Sequence, residues 1–530
     1  MPETLPATAP VTDTVELGPG DVGRTDLTFA DVVAVARNGA KVTLAPAALD
    51  ALARGRATVD RLAAAPTPAY GISTGFGALA TRHIDPELRA ALQRSLIRSH
   101  AAGMGPLVET EVVRALMLLR LKTLATGHTG VRPVVAQTMA ALLNSGITPA
   151  VREYGSLGCS GDLAPLAHAA LVLMGEGEIL GEDGKPADAA SALAAHGITP
   201  LVLEPKEGLA LINGTDGMLG MLILALRDFE HLLKLADLTA AMSIEAQLGT
   251  DRVFLPELHA IRPHPGQAAS AANLLTLLKD SGVVASHRGP DCNRVQDAYS
   301  LRCAPQVAGA ARDTLAHATL VAERELASIV DNPVVLLGED RVESNGNFHG
   351  APVAFVLDFL AIAAAEVGSI AERRTDRMLD VARSHGLPPF LAADPGVDSG
   401  LMIAQYTQAA LVSENKRLAN PAGVDSIPSS AMQEDHVSMG WSAARKLRAA
   451  LDNLTRILTI ELVTAARALD LRAPLRPAPG TAAAVSVLRR HGVDGPGPDR
   501  YLSVELRAAE EEVRNGEVIA AVEEAVGVLR

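Results

Sequence analysis

The chain has 530 residues, 47 of them basic and 61 acidic, for a formal net charge of −14 at pH 7. With 48% hydrophobic and 20% charged residues it can bury a large core, which excludes an intrinsically disordered chain. The acidic balance and an aromatic content of 3% exclude a nucleic-acid partner, which needs a basic footprint and stacking platforms.

Residues 1–24 open on MPETLPATAPVTDTVELG, with acids and prolines where a signal peptide carries a basic start and an apolar run, and are expected to form a flexible arm. The length suggests two domains, a mixed N-terminal one over 25–211 and a helical one over 212–530. Val42–Leu44 is the best strand signal of the first. Apolar residues at three- and four-residue spacing predict helices over Val112–Thr123, Met218–Leu235, Arg312–Val330, Val353–Ala382 and Ser442–Leu471. The last two would each be about 45 Å long, so the fold class is mainly α, a long antiparallel helical bundle. Gly181–Pro200, Gly289–Asn293, Gly386–Gly400 and Leu475–Asp499 punctuate the pattern. Gly217–Leu226 is too short to span a bilayer, and the apolar run Ala351–Ala371 carries Asp358 and Glu366, so no membrane partner is expected. Three cysteines, Cys159, Cys292 and Cys303, form no CxxC pair and no even framework, which fits a reducing cytoplasm. The apolar helix faces are wider than one bundle needs, which points to a homo-oligomer.

The most unusual segment is Tyr154-Gly-Ser-Leu-Gly-Cys-Ser-Gly-Asp-Leu-Ala-Pro-Leu-Ala-His168. Glycines at 155, 158 and 161 allow backbone conformations that other residues resist. A tight Cys159-Ser160-Gly161 turn could bring the Gly161 nitrogen onto the Cys159 carbonyl. Ring closure with loss of water, including the Ser160 hydroxyl, would leave an exocyclic methylidene electrophile. Taken alone, a Ser-Gly-Asp triplet is more often a helix cap, with Ser160 or Asp162 at the N-cap.

With its neighbours, this segment resembles the signature of the aromatic amino acid ammonia-lyase and aminomutase family, in which an Ala-Ser-Gly triad cyclises to 4-methylidene-imidazol-5-one (MIO). Cys159 stands here at the usual alanine; its carbonyl does the chemistry and its side chain is not consumed. The resemblance covers roughly residues 25 to 520. Tyr70-Gly-Ile-Ser-Thr-Gly-Phe-Gly77 resembles the family's active-site loop, and Ser99-His100-Ala-Ala-Gly103 the segment that contacts the substrate ring. Asn213-Gly-Thr215 matches a third motif, with Asp216 where the family usually carries Gln. Gln296-Asp-Ala-Tyr299-Ser-Leu-Arg302, Asn345-Gly-Asn-Phe348-His-Gly350 and Gln433-Glu434-Asp435-His-Val-Ser-Met439 complete the set. Gln296, Tyr299 and Arg302 also recur every three residues, which on a helix keeps them within about 120° of one face.

The resemblance implies a mechanism. The substrate amine adds to the MIO formed from Cys159, Ser160 and Gly161, and Tyr70 takes the β-proton, which needs surroundings that favour the phenolate. Arg302 holds the substrate carboxylate. Asn213, Gln296 and Tyr299 supply hydrogen bonds, Phe348 flanks the electrophile, and His100, Met402 and Glu434 face the substrate. MIO is the expected cofactor, with no external cofactor and no metal.

Ser99-His100 and Glu434 resemble the histidine-specific members, and a carboxylate can accept an imidazole N–H but gives nothing to a phenyl ring. The expected reaction is therefore L-histidine to trans-urocanate and ammonia, in histidine degradation. The family implies a homotetramer whose sites combine segments of several subunits. Three alternatives stand beside this reading: a tyrosine 2,3-aminomutase or a tyrosine or phenylalanine ammonia-lyase of the same family, an inactive helical scaffold, and a zinc hydrolase. For the last, HExxH is absent and His259 and His264 straddle Pro263.

Overall fold

The computed structural model describes residues 13–75, 82–181, 183–289, 295–339 and 341–530. Long helices dominate it. Asp216–Ala246 and Gly440–Asp470 have 31 residues each, Ala351–Leu379 has 29 and Ala304–Ala327 has 24. These four pack on one another as the body of the fold, and the three longest rise about 45 Å along their axes. All five helices expected from apolar spacing are present; Met218–Leu235 extends to Asp216–Ala246, and Arg312–Val330 starts earlier and stops at Ala327. The faces turned inward explain why they form. Leu447, Leu454, Ile457 and Leu458 of the Gly440–Asp470 helix are fully buried, and each such side chain contributes about 1.5–3 kcal/mol by leaving water.

The charges inside this core are paired. Arg374 and Glu461 meet through Nε–Oε1 at 2.5 Å and Nη2–Oε2 at 3.0 Å, with Ser243 Oγ donating to Oε1 at 2.7 Å. Asp358, in the apolar Ala351–Leu379 helix, accepts from the backbone nitrogens of Ala422 and Gly423 and from Lys446. Among the described residues, two helical stretches are long and apolar enough to cross a membrane, 207–246 and 351–379; their most apolar windows are 100% and 61% buried within the bundle.

The strands among the described residues form two-stranded ribbons. Thr14–Leu17 pairs in parallel with Lys41–Leu44, so part of the segment expected to be an arm is ordered. Val15 and Leu17 alternate with polar residues and are buried, which is what docks it. Met104–Leu107 pairs with Arg152–Tyr154, Glu178–Leu180 with Pro186–Asp188, and Val334–Leu336 with Arg341–Glu343. The main core runs from Val15 to Leu529, across the expected boundary near residue 211, which falls in the short helix Glu207–Ile212. Cys159 and Cys303 are free thiols; Cys292 lies outside the described residues.

Candidate active site

The Cys159-Ser160-Gly161 turn sits where four helices begin: Leu163–Leu173, Asp216–Ala246, Ala351–Leu379 and Gly440–Asp470. Hydrogen bonds fix it to three of them. Gly350 N donates to the Gly158 carbonyl at 3.0 Å, Met439 N to the Leu157 carbonyl at 2.8 Å, and Ser438 Oγ to the Gly158 carbonyl at 2.7 Å. Asp162 N donates to the Gly214 carbonyl at 2.8 Å. Asp162 is the N-cap residue of the Leu163–Leu173 helix, yet its carboxylate caps a different one: Oδ2 accepts from Met218 N at 2.8 Å, while Oδ1 accepts from Ser156 Oγ at 2.8 Å. Burial pushes the Asp162 carboxyl up to about 7, against those two bonds. Each helix start carries partial positive charge, so the turn lies in positive potential.

Gly161 has a φ of +74°, and a Cβ there would stand 2.1 Å from the Gly214 carbonyl oxygen. No other residue fits. Asn213-Gly-Thr215 thus meets the turn directly. Asn213 is buried, with its carbonyl held by Arg120 Nη1 at 2.8 Å, its Nδ2 at 3.5 Å from the Asn332 carbonyl, and its Oδ1 without a partner. Asn332 Oδ1 accepts from Asn345 N at 3.0 Å. Asp216 lies 3.4 Å from Arg120; burial raises its carboxyl, and Arg120 and Lys122 oppose that.

Over the turn lies Glu434. Cys159 Sγ donates to its Oε2 at 3.2 Å and Ser160 Oγ to its Oε1 at 3.3 Å. Burial and the Glu434 charge push the Cys159 thiol up to about 12, so it stays protonated. His100 ends the Arg89–His100 helix with Nδ1 at 2.9 Å from the Leu96 carbonyl, which makes Nδ1 the protonated nitrogen and leaves Nε2 as an acceptor. Burial holds the His100 pKa below the ordinary imidazole value, countered by the Leu96 bond and the Glu434 charge. Phe348, half-buried, stands two residues before Gly350. His349 and His436 stack at 5.4 Å between ring centroids beside it.

Cys159, Ser160, Gly161, His100, Asn213, Phe348 and Glu434 therefore gather at one end of the bundle. Tyr70 is half-buried against the main core, while 76–81, which include the end of its expected loop, lie outside the described residues. Gln296, Tyr299, Arg302 and Met402 do not join them. Arg374 Nη1 donates to the Ser300 carbonyl at 3.4 Å, and Arg374 lies about 35 Å along its helix from Ala351, at about 1.5 Å per residue. Thr250 N donates to Asp297 Oδ2 at 2.8 Å, just past the far end of the Asp216–Ala246 helix. Gln405, three residues after Met402, donates to Asp376 at 2.9 Å, at that same far end.

The expected helical face is also corrected. Only Tyr299–Arg302 is helical, a single turn, and Gln296 precedes it outside any helix or strand. The Asp297 bond to Thr250 and an Ala298 ψ of 157° hold that stretch open. Tyr299 is 72% exposed, with the Arg302 guanidinium 4.7 Å over its ring.

Sequence reasoning missed Ser429, whose Oγ donates to Glu434 Oε2 at 3.2 Å, and the buried pair of Lys206 and Asp331 at 2.5 Å beneath Asn332. No spacing marks Ser429, and Arg120 and Lys122, charges within the apolar Val112–Thr123 run, were missed as well. His259 is satisfied on both nitrogens, by the Val253 carbonyl at 3.1 Å and Gln267 at 2.9 Å, and His264 is exposed near Asp313. That pair is structural, not a metal centre.

Residues 27–490 match the family model described as "Aromatic amino acid lyase". The chain is 70% identical over 508 residues to a histidine ammonia-lyase of Streptomyces avermitilis, covering 96% of this chain and 99% of the relative. Among solved structures, a tyrosine aminomutase from Streptomyces globisporus matches with a TM-score of 0.90 at 40% identity, over 97% of this chain and all of that one. A histidine ammonia-lyase from Trypanosoma cruzi matches with a TM-score of 0.87 at 37% identity, over 97% of this chain and 96% of that one. Backbone likeness barely separates lyase from mutase here; the sequence likeness leans to the lyases.

Proposed function

The chain belongs to the aromatic amino acid lyase family, and on that premise we propose that it acts as a histidine ammonia-lyase, converting L-histidine to trans-urocanate and ammonia in histidine degradation. The observation that carries the substrate is Glu434, whose carboxylate rests on Cys159 and Ser160 beside His100. A carboxylate there accepts an imidazole N–H and stabilises imidazolium, while a phenyl or phenol ring would leave it buried and unpaired. His100, close enough for the Glu434 charge to reach it, keeps Nε2 as a second acceptor.

The Cys159-Ser160-Gly161 turn fits MIO: only glycine is tolerated at 161, Ser160 carries the hydroxyl to be lost, and four helix starts favour negative charge on the ring. Closure would remove two waters. One takes the Cys159 carbonyl oxygen with the Gly161 and Ser160 amide protons; the other takes Ser160 Oγ with its own proton and the Ser160 Cα proton. When formed, the group supplies the electrophile that makes the substrate amine a leaving group.

This chain's residues do the rest. Tyr70 takes the β-proton as general base. Arg302 binds the substrate carboxylate with the guanidinium that stacks on Tyr299. Asn213, whose buried Oδ1 has no partner, Gln296 and Tyr299 hold the carboxylate and the departing amine. Phe348 shields the electrophile, and Met402 lines the substrate space.

Since Gln296, Tyr299, Arg302 and Met402 lie at the far end of the bundle, they act in a site whose Cys159 turn belongs to another copy. A homotetramer meets that need, and the exposed Phe355, Phe359 and Ile362 along one helix suit such an interface. We place the enzyme in the cytoplasm, with no external cofactor, and divide it into an N-terminal MIO-bearing domain over 25–211 and a long-helix domain over 212–530.

A tyrosine 2,3-aminomutase is the second reading, favoured by the 40% identical aminomutase of the same fold. Near-ultraviolet progress curves with L-histidine, L-tyrosine and L-phenylalanine decide. Urocanate from histidine alone is the expected result. Coumarate, cinnamate or a β-amino acid would overturn the substrate, and no product together with an intact mass lacking the two-water loss would favour the inactive scaffold.

A further inference from the structure

We propose that Cys159 and Ser429 are positioning residues that divide the Glu434 carboxylate into a held oxygen and a working oxygen. The inference rests on the histidine ammonia-lyase reading. Oε2 receives two donors, Cys159 Sγ at 3.2 Å and Ser429 Oγ at 3.2 Å, while Oε1 receives Ser160 Oγ at 3.3 Å. The hydroxyl of Ser160 is the one that leaves as water when the turn closes. Maturation therefore strips the serine donor from Oε1 and leaves both donors on Oε2. A carboxylate oxygen left without a donor in a half-buried place calls for one, and the imidazole N–H of the substrate fills that position.

The backbone around Ser429 shows that its place is enforced. Ser429 N donates to the Glu434 carbonyl at 2.8 Å and Glu434 N to the Ser429 carbonyl at 3.3 Å, closing the segment on itself. The closure runs through three consecutive non-glycine residues in left-handed backbone: Ser430, Ala431 and Met432, with φ of 51°, 53° and 69°. Strain of this kind persists where surrounding contacts over-determine the conformation, and it concentrates at functional sites. Here it sets the serine hydroxyl beside the carboxylate. The Cys159 thiol, pushed up to about 12, remains a donor throughout the working range. The alanine usual at that position offers no such donor, so cysteine adds a constraint on the group that reads the imidazole.

The test separates binding from turnover. L-Histidine affinity is measured by calorimetry on Ser160→Ala, which cannot mature, alone and combined with Ser429→Ala or Cys159→Ala. Each second substitution is expected to weaken binding about tenfold and both together about a hundredfold, with Ser429→Thr restoring most of the loss. In a Glu434→Gln background the same substitutions should not weaken binding further and, by releasing the amide oxygen that the two donors hold, should recover part of it. In the mature enzyme, Ser429→Ala and Cys159→Ala should raise KM for L-histidine while keeping the two-water mass loss. Equal affinity and equal KM in all variants would overturn the inference, as would a Cys159→Ala or Ser429→Ala protein that folds but does not mature. If the unmodified enzyme itself fails to deaminate L-histidine, the substrate reading fails instead.

Discussion

Replacing Glu434 by Gln tests the substrate most directly. The carboxylate accepts from Cys159, Ser429 and Ser160, and glutamine has one acceptor oxygen for these two sides. Two donors converge on the Oε2 position, so the amide oxygen settles there and the amide NH2 is left at the Oε1 position. That NH2 then faces the imidazole N–H, donor against donor. Losing one charge-assisted hydrogen bond costs about 1.5–3 kcal/mol. At about 1.4 kcal/mol per decade, kcat/KM for L-histidine falls roughly 10- to 150-fold. The assay is urocanate formation in the near ultraviolet, with intact mass confirming that the two waters have been lost. Unchanged kcat/KM in a matured Glu434→Gln enzyme would refute the carboxylate's role in reading the imidazole.

Gly161→Ala should give a soluble chain that keeps both waters by mass, because its Cβ would meet the Gly214 carbonyl oxygen at 2.1 Å in a φ of +74°; normal maturation would show that the turn is looser than it stands here. Burial holds the Lys122 ammonium down to about 8 against an ordinary 10.5. Between those values the unfolded chain binds the extra proton, so this group makes stability rise with pH, by at most about 1.4 kcal/mol per unit. Lys122→Met should flatten that part of the thermal-melting profile, and identical slopes would refute the assignment. Ser160→Ala and Arg302→Ala chains, each inactive, should recover about a quarter of full activity when co-expressed, since a hybrid site can draw its turn from one copy and its arginine from another; no recovery would mean that both residues must come from one chain.

Much of this was legible in the sequence, for identifiable reasons. The long helices announced themselves because burying one face imposes three- and four-residue spacing, as in Ser442–Leu471 against the observed Gly440–Asp470. The Cys159 turn and Glu434 were readable through the resemblance of their motifs to a known family, since by residue type alone the turn passes for a helix cap and the glutamate for an exposed acid. Gln296 was misassigned because spacing reports a possible face and not whether a helix forms; one side-chain bond from Asp297 to Thr250 decides the backbone there. Ser429 left no trace, since left-handed Ser430, Ala431 and Met432 run against the preferences of those residues. The Lys206–Asp331 pair was hidden by a separation of 125 positions along the chain.

Helix length itself explains why the expected site residues fall into two groups. A helix offers positive potential only at its start, and four starts converge on Cys159-Ser160-Gly161. The ends of the same rods lie about 35 to 45 Å away, and there stand Tyr299 and Arg302, the tyrosine 72% exposed. No side-chain motion bridges such a gap, so on the proposed function one chain would supply the electrophile or the carboxylate clamp at a given place but not both. An antiparallel second copy would put the far end of one bundle against the near end of another. On the proposed function, association is then a condition for chemistry: a chain held as a monomer would still lose its two waters, because the turn and its helix starts are local, yet would not turn over substrate.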